Sequence, residues 1–315
     1  MIGYLKSRYD IITKLGDKMQ HLITTEDFSN EEIIKIFDDA KLFIESESND
    51  LLKGKLIVTL FFENSTRTRS SFEIAAKRLG CDVVNLEIQT SSAKKGESVE
   101  DTIVNLNAMK PDVIIIRHGD CGLPASLVSH VNCPILNAGD GKNAHPTQAL
   151  LDLYTIMDHY NYDVKGKNIA IVGDILNSRV ASSNLELLPR FGLIPILVAP
   201  KEFNVISKYK SVKNIKKVLN DLDIIMSLRV QHERHSFSGT EKELVSAKEK
   251  YSKKYCITKK LIKGRDLLIL HPGPVNRNID ISDEVLKDPR SKVLEQVTNG
   301  VVIRMACLKK LILKE

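Results

Sequence analysis

Apolar runs and helical periodicities alternate along most of this chain. Leu56-Ile57-Val58-Thr59-Leu60-Phe61-Phe62 has strand character, and after it Phe72, Ala75, Ala76 and Leu79 recur at helical spacing until Gly80. Upstream, Ser29-Asn30-Glu31-Glu32 reads as a capping box that opens a helix through about Glu45. Strand-like runs at 55–62, 82–87, 112–117 and 134–137 alternate with helical patterns near 66–79, 98–109 and 122–130. This alternation predicts βαβ units and a parallel sheet. A second series follows a helix over 146–160, with strands at 168–172, 193–198, 222–227 and 267–270. Its helices are predicted near 178–191, 241–251 and, at the end, about 290–313. The expectation is an α/β protein of two similar-sized, doubly wound parallel-sheet domains joined by interdomain helices. In such sheets ligands sit beyond the C-terminal strand ends, and two-domain proteins bind in the cleft.

Composition narrows the function classes. The chain's 315 residues suit two domains of about 150 residues each. No apolar stretch approaches the ~20 residues needed to span a membrane, and Met1 to Gln20 lacks the pattern of a secretory signal. The five cysteines are scattered with no CxxC pair, which argues against a disulfide framework or zinc site and predicts a cytoplasmic setting. A net charge of +6 invites nucleic acid, but the lysines are dispersed and there is no tryptophan. Small anionic substrates fit that charge as well, and neither nucleic acid nor membrane is expected as a partner.

The polar clusters all follow predicted strands. Ser65-Thr66-Arg67-Thr68-Arg69 sits where a strand hands over to a helix N-terminus, a place that favours anions. Arginine adds a planar, permanently charged fork matched to phosphate oxygens. The same hydroxyls would also serve an ordinary N-cap, although a cap needs one hydroxyl and not three. Arg117-His118 ends a run of β-branched residues, where an arginine could equally snorkel at the sheet edge. His145-Pro146-Thr147-Gln148 opens the linking helix with a ring donor and an amide one turn apart, or simply forms a polar helix start. Val172-Gly173-Asp174 has one glycine and no GxGxxG, which disfavours a nucleotide cofactor. Arg179 and Arg229-Val230-Gln231 suit a ligand with two carboxylates, with local salt bridges as the plainer alternative. Residues 91–98, with Ser91 and Lys95, read as a mobile surface loop that could carry a lysine to an anion. The two prolines of His271-Pro272-Gly273-Pro274 stiffen a turn after the last strand. No His/Asp/Glu set has metal-ligand spacing, so neither a metal nor a cofactor is expected.

Together these segments resemble the transcarbamoylases over roughly residues 21–312, and among them the aspartate-using branch. The resemblance rests on Ser65-Thr66-Arg67-Thr68-Arg69, Arg117-His118, His145-Pro146-Thr147-Gln148 with Ala149-Leu150-Leu151-Asp152-Leu153, and His271-Pro272-Gly273-Pro274, in that order. The ornithine-using branch shares the first signature and the His-Pro-Thr-Gln segment but typically carries His-Cys-Leu-Pro in the last motif. The resemblance implies transfer of a carbamoyl group from carbamoyl phosphate to the amine of L-aspartate, an early step of pyrimidine biosynthesis. The alternatives are ornithine or another amine as acceptor, and a catalytically silent homologue. It implies a carbamoyl-phosphate domain over 1–145, an aspartate domain over 146–290, and a C-terminal helix at about 291–315 packing back onto the first. Carbamoyl phosphate would meet Ser65, Thr66, Arg67, Thr68, Arg117, His145, Gln148 and the Pro272 carbonyl. Among these, Arg67, Thr68, Arg117 and His145 would be catalytic. Aspartate would meet Arg179, Arg229, Gln231, Gly273 and Pro274. Ser91 and Lys95 would come from a neighbouring subunit of a homotrimer. Association with regulatory chains or a dihydroorotase is left open, although residues 234–254 look more like those of unregulated trimers.

Overall fold

Residues 19–46, 49–63, 65–87, 98–205, 207–229 and 249–314 are described by the structure, a computed structural model. Strand β1 (Leu56–Phe61) is buried over its last five residues, as a parallel strand covered on both faces must be. It lies between β2 (Asp82–Glu87) and β3 (Val113–His118), with β4 (Ile135–Asp140) beyond, giving the parallel order β2-β1-β3-β4. Helices α1 (Asn30–Glu45), α2 (Thr66–Arg78) and α3 (Val99–Ala108) accompany this sheet. The second sheet holds β5 (Asn168–Val172), β6 (Ile194–Val198), β7 (Lys210–Val212), β8 (Ile224–Ser227) and β9 (Leu268–Leu270), all parallel in the order β7-β6-β5-β8-β9. The fold is therefore α/β with two parallel sheets.

Helix α4 (Pro146–His159) joins the two halves and is buried from Pro146 through Met157. It leads to α5 (Arg179–Leu187), while the long α6 (Val293–Leu313) closes the chain against α1, α2 and α4. One apolar core runs through both halves, including Phe37, Tyr154, Leu187 and Met305. Burying such large side chains stabilises by about 1.5–3 kcal/mol each. Arg190 adds a polar tie between the halves, donating to Asn30 Oδ1 (2.9 Å) and to the carbonyls of Thr25 (2.7 Å) and Phe28 (2.6 Å).

Local departures from the periodicity have local causes. β4 runs three residues beyond the apolar run at 134–137, because the Asp140 carboxylate accepts from Ala144 N (3.0 Å) and Gly122 N (2.7 Å) and holds the chain extended. The pattern at 122–130 breaks into two single turns, Leu123–Ser126 and Val128–His130. That at 178–191 tightens to a 3₁₀ turn from Leu188, next to Pro189, which has no N–H to continue the α ladder. β7 is a short edge strand, largely exposed, with no apolar run to announce it.

Candidate active site

Each sheet reverses its strand order once, between β1 and β3 and between β5 and β8, and a crevice opens at such a point beyond the C-terminal strand ends. Here the two crevices face each other across α4. Between them lies a cavity of about 670 Å³ lined by Ser65, Thr66, Arg67, Thr68, Arg117, His145, Gln148, Arg179, Arg229, Pro272, Gly273 and Pro274. Twelve of the fifteen residues singled out in the sequence are thus brought together. The other three, Ser91, Lys95 and Gln231, lie outside the described residues, as does most of the helix predicted over 241–251.

The first wall is the β1–α2 junction. Ser65 occupies the N-cap position of α2, yet its side chain makes no capping hydrogen bond. The plain capping role is therefore not the one it plays. Arg67, on the first turn, has its pKa lowered by burial and then by the like charge of Arg229 from the opposite half. It also reaches the last motif, since a Cβ on Gly273 would stand 3.6 Å from its Nε.

The second wall is a pair of arginines held by one acid. Arg117 at the end of β3 and Arg179 at the start of α5 both engage Glu63 Oε2, at 3.3 Å and 2.9 Å. Arg117 Nη1 also donates to the Ala138 carbonyl (3.2 Å) and Arg179 Nη1 to that of Gly141 (3.2 Å). Gly139 makes this approach feasible. Its φ of +120° suits glycine, and a Cβ there would lie 3.0 Å from Arg179 Nε and 3.3 Å from Arg117 Nη1.

His145 forms the floor. It sits at the N-cap of α4 without capping it, and its backbone N–H donates to Ser183 Oγ (2.9 Å). Burial first, then Arg117, Arg179 and Arg304, push its pKa well below the ordinary value, so the imidazole is neutral at pH 7. Its Nδ1 is buried with no hydrogen-bond partner among the described residues. A neutral ring can donate to a carbonyl oxygen without carrying charge. Gln148 lies one turn further, its Nε2 donating to Asp152 Oδ1 (2.8 Å).

The sequence reading missed two charged groups. Glu63, the only acid lining the cavity among the described residues, follows β1 with nothing in its neighbours to mark it. Arg304 is buried inside α6, where burial lowers its pKa to about 10 and it remains charged at pH 7. It lies over the Phe72 ring and donates to Ser71 Oγ (2.9 Å) and the Gly300 carbonyl (2.9 Å). Its signal was available as a lone arginine in the otherwise apolar run Val301-Val302-Ile303-Arg304-Met305-Ala306. Among the described residues, five arginines and one carboxylate give the cavity an excess of four positive charges. Such a site can hold two small anions together and stabilise charge that develops between them. Among the described residues no group of His, Cys, Asp or Glu could hold a metal ion, and no helix is long and apolar enough to cross a membrane.

Comparison with known proteins adds to this geometry. Residues 20–158 match the family model for the aspartate/ornithine carbamoyltransferase carbamoyl-P binding domain, and residues 165–311 match that for the Asp/Orn binding domain. The chain is 62% identical over 296 residues to the aspartate carbamoyltransferase catalytic subunit of Aliarcobacter butzleri, covering 94% of this chain and 99% of that protein. It is 58% identical to that of Campylobacter lari, covering 94% and 100%. The fold is similar to the catalytic subunit of M. jannaschii aspartate transcarbamoylase (TM-score 0.83, 36% identity, 94% and 99% covered). It is also similar to aspartate transcarbamoylase from Trypanosoma cruzi solved with carbamoyl phosphate and aspartate (TM-score 0.83, 31% identity, 92% and 96% covered).

Proposed function

Because the chain belongs to the aspartate/ornithine carbamoyltransferase family, we propose that its cavity transfers the carbamoyl group of carbamoyl phosphate to the amine of L-aspartate, yielding N-carbamoyl-L-aspartate and phosphate. This is an early reaction of pyrimidine biosynthesis. The observation that carries the reading is the convergence of arginines from both sheets, with an excess of four positive charges around a neutral histidine. A dianionic carbamoyl phosphate and an aspartate with its amine deprotonated for attack bring four negative charges, which match that excess. Ornithine matches it poorly, because it brings one carboxylate, and the ammonium that does not react would find, among the described residues of the cavity, only Glu63, already engaged by Arg117 and Arg179.

In this reading the phosphate sits on Ser65, Thr66, Arg67 and Thr68 at the uncapped end of α2, where first-turn N–H groups and the helix dipole favour it. Arg117 reaches from the phosphate to the carbonyl oxygen. Thr68, Arg117 and neutral His145 stabilise the oxyanion as the aspartate nitrogen adds to the carbonyl carbon; such donors are worth ~3–4 kcal/mol each. The carbon–oxygen bond to phosphate then breaks, and the departing phosphate takes the amine proton, so no protein general base is required. Gln148 Oε1 and the Pro272 carbonyl accept from the carbamoyl NH2. Arg179 holds the α-carboxylate of aspartate and Arg229 with Gln231 the β-carboxylate, beside Gly273 and Pro274. Approach of the two halves aligns the reactants and excludes water.

Labelled carbamoyl phosphate offered with aspartate and with ornithine in parallel tests the reading. Labelled carbamoyl-aspartate is expected; label transferred only to ornithine, or to neither amine, refutes it. The family likeness also supports a homotrimer in which Ser91 and Lys95 complete a neighbour's site. Mixing Lys95→Ala chains with Arg67→Ala chains should then restore activity in hybrid trimers, and absence of any rescue contradicts shared sites.

A further inference from the structure

Asp152 stands on α4 one turn beyond Gln148 and is fully buried among leucines. Three amides converge on it. Gln148 Nε2 (2.8 Å) and Gln296 Nε2 (2.7 Å) donate to Oδ1, and Asn184 Nδ2 (2.9 Å) donates to Oδ2. An ionised carboxylate has no proton to give, so each amide must turn its NH2 towards Asp152 and its carbonyl oxygen away. For Gln296 that oxygen accepts the His271 backbone N–H (2.9 Å), and His271 Nδ1 in turn accepts the Gly273 N–H (2.8 Å). The turn that carries Pro272 is thereby anchored to the same carboxylate as Gln148.

Burying a carboxylate is costly, and here burial raises its pKa to about 6 despite the three amides and nearby Arg304. A leucine would fill the same core without that cost. The charge achieves something a leucine cannot: it sets the orientation of the Gln148 amide and anchors the NH2 end of Gln296, whose oxygen holds the His271 N–H.

We propose that Asp152 is a positioning residue that fixes both acceptors of the carbamoyl NH2, Gln148 Oε1 directly and the Pro272 carbonyl through Gln296 and the 271–273 backbone. The proposal rests on the reading above, in which these two oxygens receive that NH2. Asp152 never touches the substrate; it decides which end of each neighbouring amide the cavity presents. Asn at this position has nearly the same shape but offers an NH2 in place of one oxygen. Asn184 is held by its second bond to the Val180 carbonyl (3.0 Å) and Gln296 by the His271 N–H (2.9 Å), so Gln148 is the amide that turns over, and it then presents its own NH2 to the carbamoyl NH2, donor against donor.

Equilibrium binding to the intact enzyme and to Asp152→Asn tests this with three probes: carbamoyl phosphate, acetyl phosphate, which has a methyl where the amine was, and inorganic phosphate. Asp152→Asn is expected to weaken carbamoyl phosphate about tenfold or more, as for an unpaired buried polar group. The other two probes should stay within about twofold, because neither has an NH2 to recognise. Equal weakening of all three marks a general loss of structure and overturns the proposal, as does no change in any. Should Asp152→Asn fail to fold, Gln296→Met breaks the chain from Asp152 to His271 by removing both bonds of the Gln296 amide, and leaves Gln148 and Asn184 on Asp152. It should weaken carbamoyl phosphate alone, by about threefold, and an equal effect on all probes, or none, again overturns the proposal. If the unaltered chain binds no carbamoyl phosphate, the functional reading itself has failed, and this inference with it.

Discussion

Helices α1 and α3 begin on serines that hydrogen-bond back onto their own first turns, whereas α2 and α4 begin on Ser65 and His145, which do not. Ser29 accepts from Glu32 N (3.2 Å) while Glu32 returns a carboxylate oxygen to Ser29 N (2.8 Å), and Ser98 accepts from Asp101 N (3.0 Å). Each of these caps satisfies N–H donors that the helix leaves unpaired. The uncapped pair opens on the cavity, where the donors and hydroxyls remain available to a ligand. The difference teaches that similar short polar stretches before a helix close the helix in one place and, in another, are left open to a cavity. What separates them is the company of Arg67, Arg117 and Arg179 and not the cap residue itself.

The sharpest way to break this comparison is to remove a cavity cation. Arg117→Ala should lower kcat by about 10²–10³-fold in a steady-state assay with aspartate, as loss of an oxyanion donor does. A loss below about fivefold would separate the uncapped ends from catalysis. Next in size, His145→Gln should lower kcat by about 10–10²-fold while leaving the pH at which activity falls unchanged. The reason is that His145 already stays neutral through the neutral range. A shift of the acid limb by more than about half a pH unit would mean that an imidazolium takes part. The same depressed pKa has a stability consequence. Below the ordinary value of 6.5 the unfolded chain takes up a proton that folded His145 refuses, so stability falls as pH drops from there. Above it the residue is neutral in both states and contributes no such dependence.

The smallest effects test the comparison most directly. Ser65→Ala should leave the thermal midpoint within about 1 °C, because no cap is lost, while weakening inorganic phosphate by about threefold to tenfold. Ser29→Ala should do the reverse. It should cost about 1 kcal/mol of stability, a fall of some 2–4 °C, with phosphate binding unchanged. Thermal melts and phosphate titrations of the two variants side by side would show whether the roles separate.

Much of the fold was legible because parallel strands and their covering helices write local patterns: continuous apolar runs for β1, β3 and β5, and helical spacing in α1 and α2. β7 was not, since an exposed edge strand of three residues, Lys210–Val212, has no face to bury and hence no pattern to read. The Ser65–Thr68 wall of the cavity was legible for a related reason. Ser65 through Arg69 crowd hydroxyls and cations into five adjacent positions at a strand end, and that clustering is local.

By itself, then, the sequence determined the two α/β halves, the strand-end placement of its arginines and the reaction class that the ordered motifs suggest. Only the tertiary structure decided which groups face one another. Glu63 meets Arg179 across 116 residues, Arg304 meets Ser71 across 233, and Gln296 meets Asp152 across 144. Periodicity and spacing report on neighbours in the chain, but a carboxylate is a clamp or an amide orienter only through partners that folding brings within hydrogen-bond reach. For the same reason a plain cap stayed open as an alternative for Ser65 until its surroundings were known. Its hydroxyl is as able to close its own helix as to meet an anion, and the packing of the two halves around α4 placed it among cations that favour the second.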